Sequence, residues 1–259
     1  MNAQALELRL RALRLPSFVE HYAGLAEQAA SGGWTHVRYL AELAAVEGQD
    51  RHDRRIARLR QQAKLPRDKT LATLDAGRFP AAVRTQLARL AEGGFLDEYT
   101  NVCIFGNPGT GKTHCMAAIA NELVHQGRSV LFTSVAAVVE RLLEAKRDLS
   151  LTRELQRLDR IDCLALDDIG YVQHDRAEME VLFTLLAERY ERRSVMVTSN
   201  LVFSQWDQIF KDPMTTAAAI DRVVHHSVIL ELAVPSYRAE VAGHRRAKGS
   251  KRQTQTTDK

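Results

Sequence analysis

The sequence predicts an α/β fold: a doubly wound parallel sheet preceded by a small all-helical N-terminal domain. Three observations carry this. From Tyr99 onward, short apolar runs alternate with amphipathic stretches of helical period, the pattern of strands covered by helices on both faces. A glycine-rich loop sits between the first such run and the helix that follows it. The first hundred residues show helical spacing and no strand-like runs.

Taken in order, Leu6, Leu10 and Leu13 share one helical face. Ser17 with Glu20 reads as a capping box ahead of Phe18, Tyr22, Leu25 and Ala29. Ser31-Gly32-Gly33 stops that helix, and Thr35 is placed to cap a long one carrying Tyr39, Leu43, Val46, Ile56, Leu59 and Ala63. Residues 65–80 break the period and read as a linker; 81–91 form another helix, ended by Gly93-Gly94. Expected strands are Val102–Phe105, Ser129–Ser134, Cys163–Leu166, Val195–Thr198 and Val228–Leu232. Helices are expected over Lys112–Gln126, Ala136–Arg147, Leu151–Leu158, Arg176–Glu191 and Thr215–His225, so two helical segments stand between the second and third strands. The domain reading is a helical domain at 1–64, a linker at 65–80, an α/β domain at 81–244 and a basic tail at 245–259 without apolar periodicity, expected to be disordered.

The loop is Gly106-Asn107-Pro108-Gly109-Thr110-Gly111-Lys112-Thr113, a G-x-x-x-x-G-K-[ST] match between a strand and a helix. Its glycines let successive backbone N–H groups turn onto phosphate oxygens, and the helix N-terminus adds partial positive charge. Lys112 is expected to reach the β/γ-phosphates and the Thr113 hydroxyl to ligate Mg²⁺. The chain is therefore expected to bind a nucleoside triphosphate, ATP, with Mg²⁺.

Cys163-Leu164-Ala165-Leu166-Asp167-Asp168 is an apolar strand ending in two carboxylates. Asp167 is expected to hold the Mg²⁺ shell and Asp168 to orient and deprotonate the attacking water. The usual residue at the second position is Glu, and Asp is one methylene shorter. Asn200, at the end of Val195-Met196-Val197-Thr198-Ser199, is a candidate to touch the γ-phosphate or the water. Arg222 and Arg238 are candidate transition-state cations.

Nothing apolar approaches the roughly 20 residues needed to span a bilayer, and the N-terminus lacks an apolar leader segment. The three cysteines are isolated, without a C-x-x-C pair, and read as reduced thiols. A cytoplasmic protein without membrane contact is expected. Net charge is +4, unevenly placed. Residues 51–67 hold seven Lys/Arg against one acid and residues 245–259 six against one, leaving the remainder acidic overall. Those two patches favour contact with a polyanion. Arg51, Arg54, Arg55 and Arg58 are candidate DNA contacts, with Lys146, Arg147, Arg153 and Arg157 on the extra helical segment as further candidates. His21, His114, His174, His225 and His226 show no ligand spacing with carboxylates and read as structural.

The run from Gly106 to Arg238, with DDIGYVQ (167–173), VTSN (197–200), the DRVVHH stretch from Asp221 to His226 and VPSYR (234–238), resembles the IstB family of transposition helper ATPases, AAA+ proteins related to DnaC helicase loaders. The resemblance implies that Asn200 is the sensor-1 residue, Arg222 the arginine finger and Arg238 the sensor-2 arginine. It also implies that the extra helical segment faces DNA. It further implies ATP-dependent assembly of a homo-oligomer on double-stranded DNA with little sequence preference, remodelling of that DNA, and stimulation of a partner transposase, IstA. The alternative it leaves open is a DnaC-like replicative helicase loader.

Overall fold

The computed structural model describes residues 2–170, 175–210 and 213–237. Contacts divide the chain into two units between Arg58 and Leu59. The first holds α1 (Ala3–Ala12), α2 (Pro16–Gly32) and most of α3 (His36–Ala63). Asn2 caps α1, accepting from the Ala5 amide at 2.9 Å, and Thr35 caps α3, accepting from the Arg38 amide at 3.2 Å. The capping box expected at Ser17 is not formed, because Pro16 occupies the first helical turn and the helix starts before Ser17. A residue thirty positions away takes over: the buried Glu47 of α3 accepts from the Ser17 amide at 2.9 Å. Burial pushes the Glu47 carboxyl up, but the Ser17 and Phe18 amides and the Arg51 guanidinium outweigh it and hold its pKa below the ordinary value.

The second unit contains α4 (Ala81–Ala91), β1 (Asn101–Phe105), α5 (Lys112–His125), β2 (Val130–Ser134), α6 (Val135–Arg147) and α7 (Leu151–Asp159). It continues with β3 (Cys163–Asp167), α8 (Arg176–Arg189), β4 (Ser194–Ser199), α9 (Asp207–Phe210), α10 (Pro213–Val224) and β5 (Ser227–Glu231). The strands form one parallel sheet in the order β2-β3-β4-β1-β5. Strand alternation sorts side chains between two cores. Cys103, Phe105, Leu164, Leu166, Val195 and Val197 face the core built with α6, α7, α8 and α10. Val102, Ile104, Cys163, Ala165 and Met196 face the one built with α4 and α5. Residues 65–80 are mostly irregular, yet Leu65, Leu74 and Phe79 pack on that second core rather than hanging as a free connection.

Two buried polar side chains fasten the amino ends of the strands. Asn101 donates from Nδ2 to Val223 O at 3.1 Å and accepts from the Val195 amide at 2.9 Å, joining α10 and β4 to β1. Arg189, 1% exposed, donates to the carbonyls of Leu158, Ile161 and Ser194, each at 2.9 Å. Burial lowers its pKa to about 10. Cys103, Cys115 and Cys163 are free and buried, and burial pushes each thiol up to about 12. Among the described residues no helix is long and apolar enough to cross a membrane.

Candidate nucleotide-binding site

Strand order builds the site. β4 lies between β1, which feeds the glycine-rich loop, and β3, which ends in the carboxylates. All three strands deliver their carboxyl ends to one edge of the sheet, where ligands bind in open α/β folds. There a cavity of about 560 Å³ is lined by Pro108 to His114, Asp168 and Asn200 from one side.

The loop needs glycine at two points in particular. Gly109 has φ 84°, and a Cβ there would run into Ser236 Oγ. Gly111, at φ 102°, is the N-cap of α5 and turns the chain into the helix. Lys112 is largely buried, with Nζ donating to Gly106 O at 2.7 Å and Asn107 O at 3.1 Å, so its ammonium lies across the mouth of the loop. Thr113 Oγ1 donates to Asp167 Oδ1 at 3.0 Å, bringing hydroxyl and carboxylate together across 54 positions.

Thr198 had no role in the sequence reading. It is fully buried, its hydroxyl donates to Asp167 Oδ1 at 2.6 Å, and it accepts from the Asp168 amide at 2.8 Å. A threonine inside a strand is an ordinary β residue, so no sequence signal marked it. Asp168 itself is exposed and takes the left-handed conformation, φ 62°, so the chain turns sharply out of β3 and its side chain reaches the cavity. Asn200 Oδ1 is buried and has no hydrogen-bond partner. A Cβ on Gly170 would stand 2.6 Å from it.

The opposite wall also went unread. It is made by residues 68–79 and by Tyr237. His114 Nε2 lies 3.2 Å from Thr70 O, and the Tyr237 amide donates to Gly109 O at 3.0 Å. Arg78 donates to Pro235 O at 3.1 Å and sits 5.2 Å over the Tyr237 ring. Arg222 does not line the cavity. It lies on α10 with its guanidinium 4.4 Å from the Phe183 ring of α8 and with Nη1 buried and unpartnered. Arg238 and the basic tail lie outside the described residues.

The basic candidates separate by what they touch. Arg51 binds Glu47 at 2.9 Å and Arg14 O at 2.6 Å, and Arg54 donates to Ser17 Oγ at 3.3 Å, so both brace the first unit. All four arginines, Arg51, Arg54, Arg55 and Arg58, are exposed. On the α6–α7 hairpin Lys146 pairs with Glu180 at 3.0 Å and Arg157 with Glu154 at 3.0 Å; Arg147, Arg153 and Arg157 are exposed.

A glycine-rich loop, a carboxylate-bearing strand and an interposed polar strand on a sheet of this order define a P-loop ATPase of the AAA+ class. Solved structures agree on the fold. DnaI superposes with TM-score 0.52 at 26% identity, covering 67% of this chain and 94% of that one. AMPPCP-bound DnaA from Aquifex aeolicus superposes with TM-score 0.56 at 18% identity; the match covers 71% of this chain and little more than half, 56%, of that one. Within the class, this chain belongs to the IstB-like ATP-binding proteins, whose family profile matches residues 8–244. It is 42% identical over 238 residues to an insertion-sequence ATP-binding protein of Sinorhizobium fredii, covering 92% of this chain and 80% of that one. The insertion sequence IS21 ATP-binding protein of Pseudomonas aeruginosa is 36% identical, covering 90% and 88% respectively. The chain is thus an ATP-binding ATPase.

Proposed function

We propose that this protein uses ATP to assemble copies of itself on double-stranded DNA, remodels that DNA, and stimulates a partner transposase of the IstA kind in the cytoplasm. One observation carries the reading: a cavity lined by the glycine-rich loop, Asp168 and Asn200 sits in a chain that matches an insertion-sequence ATP-binding protein over 92% of its length.

In this mechanism Lys112 exchanges the carbonyls of Gly106 and Asn107 for phosphate oxygens, a stronger, charge-assisted contact. Thr113 and Asp167 are an oxygen-only pair suited to Mg²⁺, which supplies charge neutralisation at the β- and γ-phosphates. Asp168 takes the proton of the attacking water, and the unpartnered Asn200 Oδ1 accepts a hydrogen bond from that water. Arg222, turned away from its own cavity, serves the nucleotide of a neighbouring subunit. Arg238, outside the described residues, keeps the sensor-2 role that the family resemblance gives it. The first unit and the α6–α7 hairpin supply phosphate contacts through exposed side chains, Arg51, Arg54, Arg55 and Arg58 on the one and Arg147, Arg153 and Arg157 on the other.

The test is strand transfer by the cognate transposase into duplex DNA, with this protein and ATP, ADP or no nucleotide. ATP-dependent stimulation is expected. No stimulation, together with capture of a replicative helicase, would replace this reading with helicase loading.

A further inference from the structure

We propose a transition-metal site, of the zinc type, formed by Glu191, His225 and His226 at the sheet edge opposite the nucleotide cavity. In sequence Glu191 is far from the adjacent His225 and His226, and the histidines alone carry no ligand spacing. The fold brings them together. α8 ends at Arg189, and Glu191 turns in the left-handed conformation, φ 55°, just before β4. α10 ends at Val224, and the two histidines form the turn into β5. One potential ligand atom from each of the three lies within 4.8 Å of the others, and His226 Nε2 stands 3.6 Å from Glu191 Oε1.

Three features make this more than a chance cluster of surface side chains. The backbone beneath it is fixed: Asn101 bonds to Val223 O and to the Val195 amide, and His226 O accepts from the Asn101 amide at 2.6 Å. The His225 ring is held by Tyr190, whose Oη lies 3.0 Å from Nδ1, and binding through Nε2 would keep that bond as the outer partner metal-bound histidines commonly have. The donor set is two imidazoles and one carboxylate, which suits zinc and leaves a position for water, and is a poor match for Mg²⁺. Ligands on one ion at about 2.1 Å can be no more than about 4.2 Å apart, so the exposed side chains need only small rotations. Asp221 and Arg222 also act electrostatically on Tyr190, in opposite directions. Bound metal would tie the end of α8 to the end of α10, one turn beyond Arg222.

The measurement is Zn²⁺ titration of the nucleotide-free, metal-stripped protein against a chromophoric competing chelator. One ion per chain is expected. His225→Ala, His226→Ala and Glu191→Gln should each lose tenfold or more in affinity, and Tyr190→Phe about tenfold. His125→Ala, outside the cluster, should bind as the parent does. Zn²⁺ should raise the thermal midpoint of the parent and leave that of the folded His225→Ala/His226→Ala variant unchanged. Parent-like affinity in that double variant, or no zinc captured by the parent at equimolar chelator, overturns the assignment.

Discussion

Thr198 and Asp167 are joined by a 2.6 Å hydrogen bond between neighbouring strands, and the same hydroxyl receives the Asp168 amide at 2.8 Å. One buried side chain therefore sets both carboxylate-bearing residues. Thr198→Val keeps the shape and removes the hydroxyl, so the part-buried Asp168 amide loses this acceptor and Asp167 Oδ1 keeps only the Thr113 hydroxyl of its two donors, a loss of about 1 kcal/mol. ATP should still bind, turnover should fall, and more Mg²⁺ should be needed for half-maximal rate. Thr198→Ser should restore the Mg²⁺ requirement; failure to do so would mean packing alone is at issue.

Lys112→Ala should abolish tight ATP binding by equilibrium dialysis, since the phosphates lose their cationic partner. Asp167→Ala should bind ATP without the tightening Mg²⁺ gives the parent. Asp168→Asn should bind ATP and hydrolyse it slowly. Parent-like turnover in Asp168→Asn would remove it as the base.

Arg222→Ala should retain ATP binding per subunit and lose most hydrolysis, an arginine finger being worth about 10³–10⁵ in rate. Mixing it with Lys112→Ala protein pairs an intact loop on one subunit with an intact arginine on the next. Partial recovery of activity in co-assembled mixtures is the expected signature. Mixtures as inactive as each variant alone would make Arg222 a packing residue over Phe183.

Duplex DNA affinity should fall steeply with salt and vary little with sequence. Arg55→Ala/Arg58→Ala is the variant that leaves the Arg51 and Arg54 bonds within the first unit intact. It should lower the slope of log K against log salt by about two. An unaltered slope takes this helix off the DNA.

Glu47→Gln should weaken the first unit by about 1 kcal/mol, the scale of a lost helix cap. The folded-state pKa of Glu47 lies below its unfolded value, so its contribution is complete above the ordinary glutamate range and disappears as pH falls through the folded value. The chain has two tryptophans, and in a Trp206→Phe background Trp34 fluorescence follows the first unit alone. The gap between parent and Glu47→Gln midpoints should close towards acid pH; a pH-independent gap would assign the effect to something other than the carboxylate.

Apolar periodicity and loop chemistry made the sheet, its helices and the residues 106–113, 167–168 and 200 readable, because each depends on local spacing. What escaped depends on distant partners. Glu47 looks like any helix-surface acid until Pro16 shifts the start of α2 and leaves the first-turn amides to be satisfied from α3. Residues 68–79 lack regular period and so read as a linker, although Phe79 is buried and the segment walls the cavity. Thr198 and the Glu191–His225–His226 group acquire meaning only from strand order, which a single sequence does not print.

The three buried, weakly acidic thiols leave the folded surface chemically silent towards reagents that need a thiolate. A cysteine placed at Leu149, the 96% exposed tip between α6 and α7, would be the one position to take up a maleimide dye. The natural protein is thus ready for distance measurements to labelled DNA without first replacing any of its own residues.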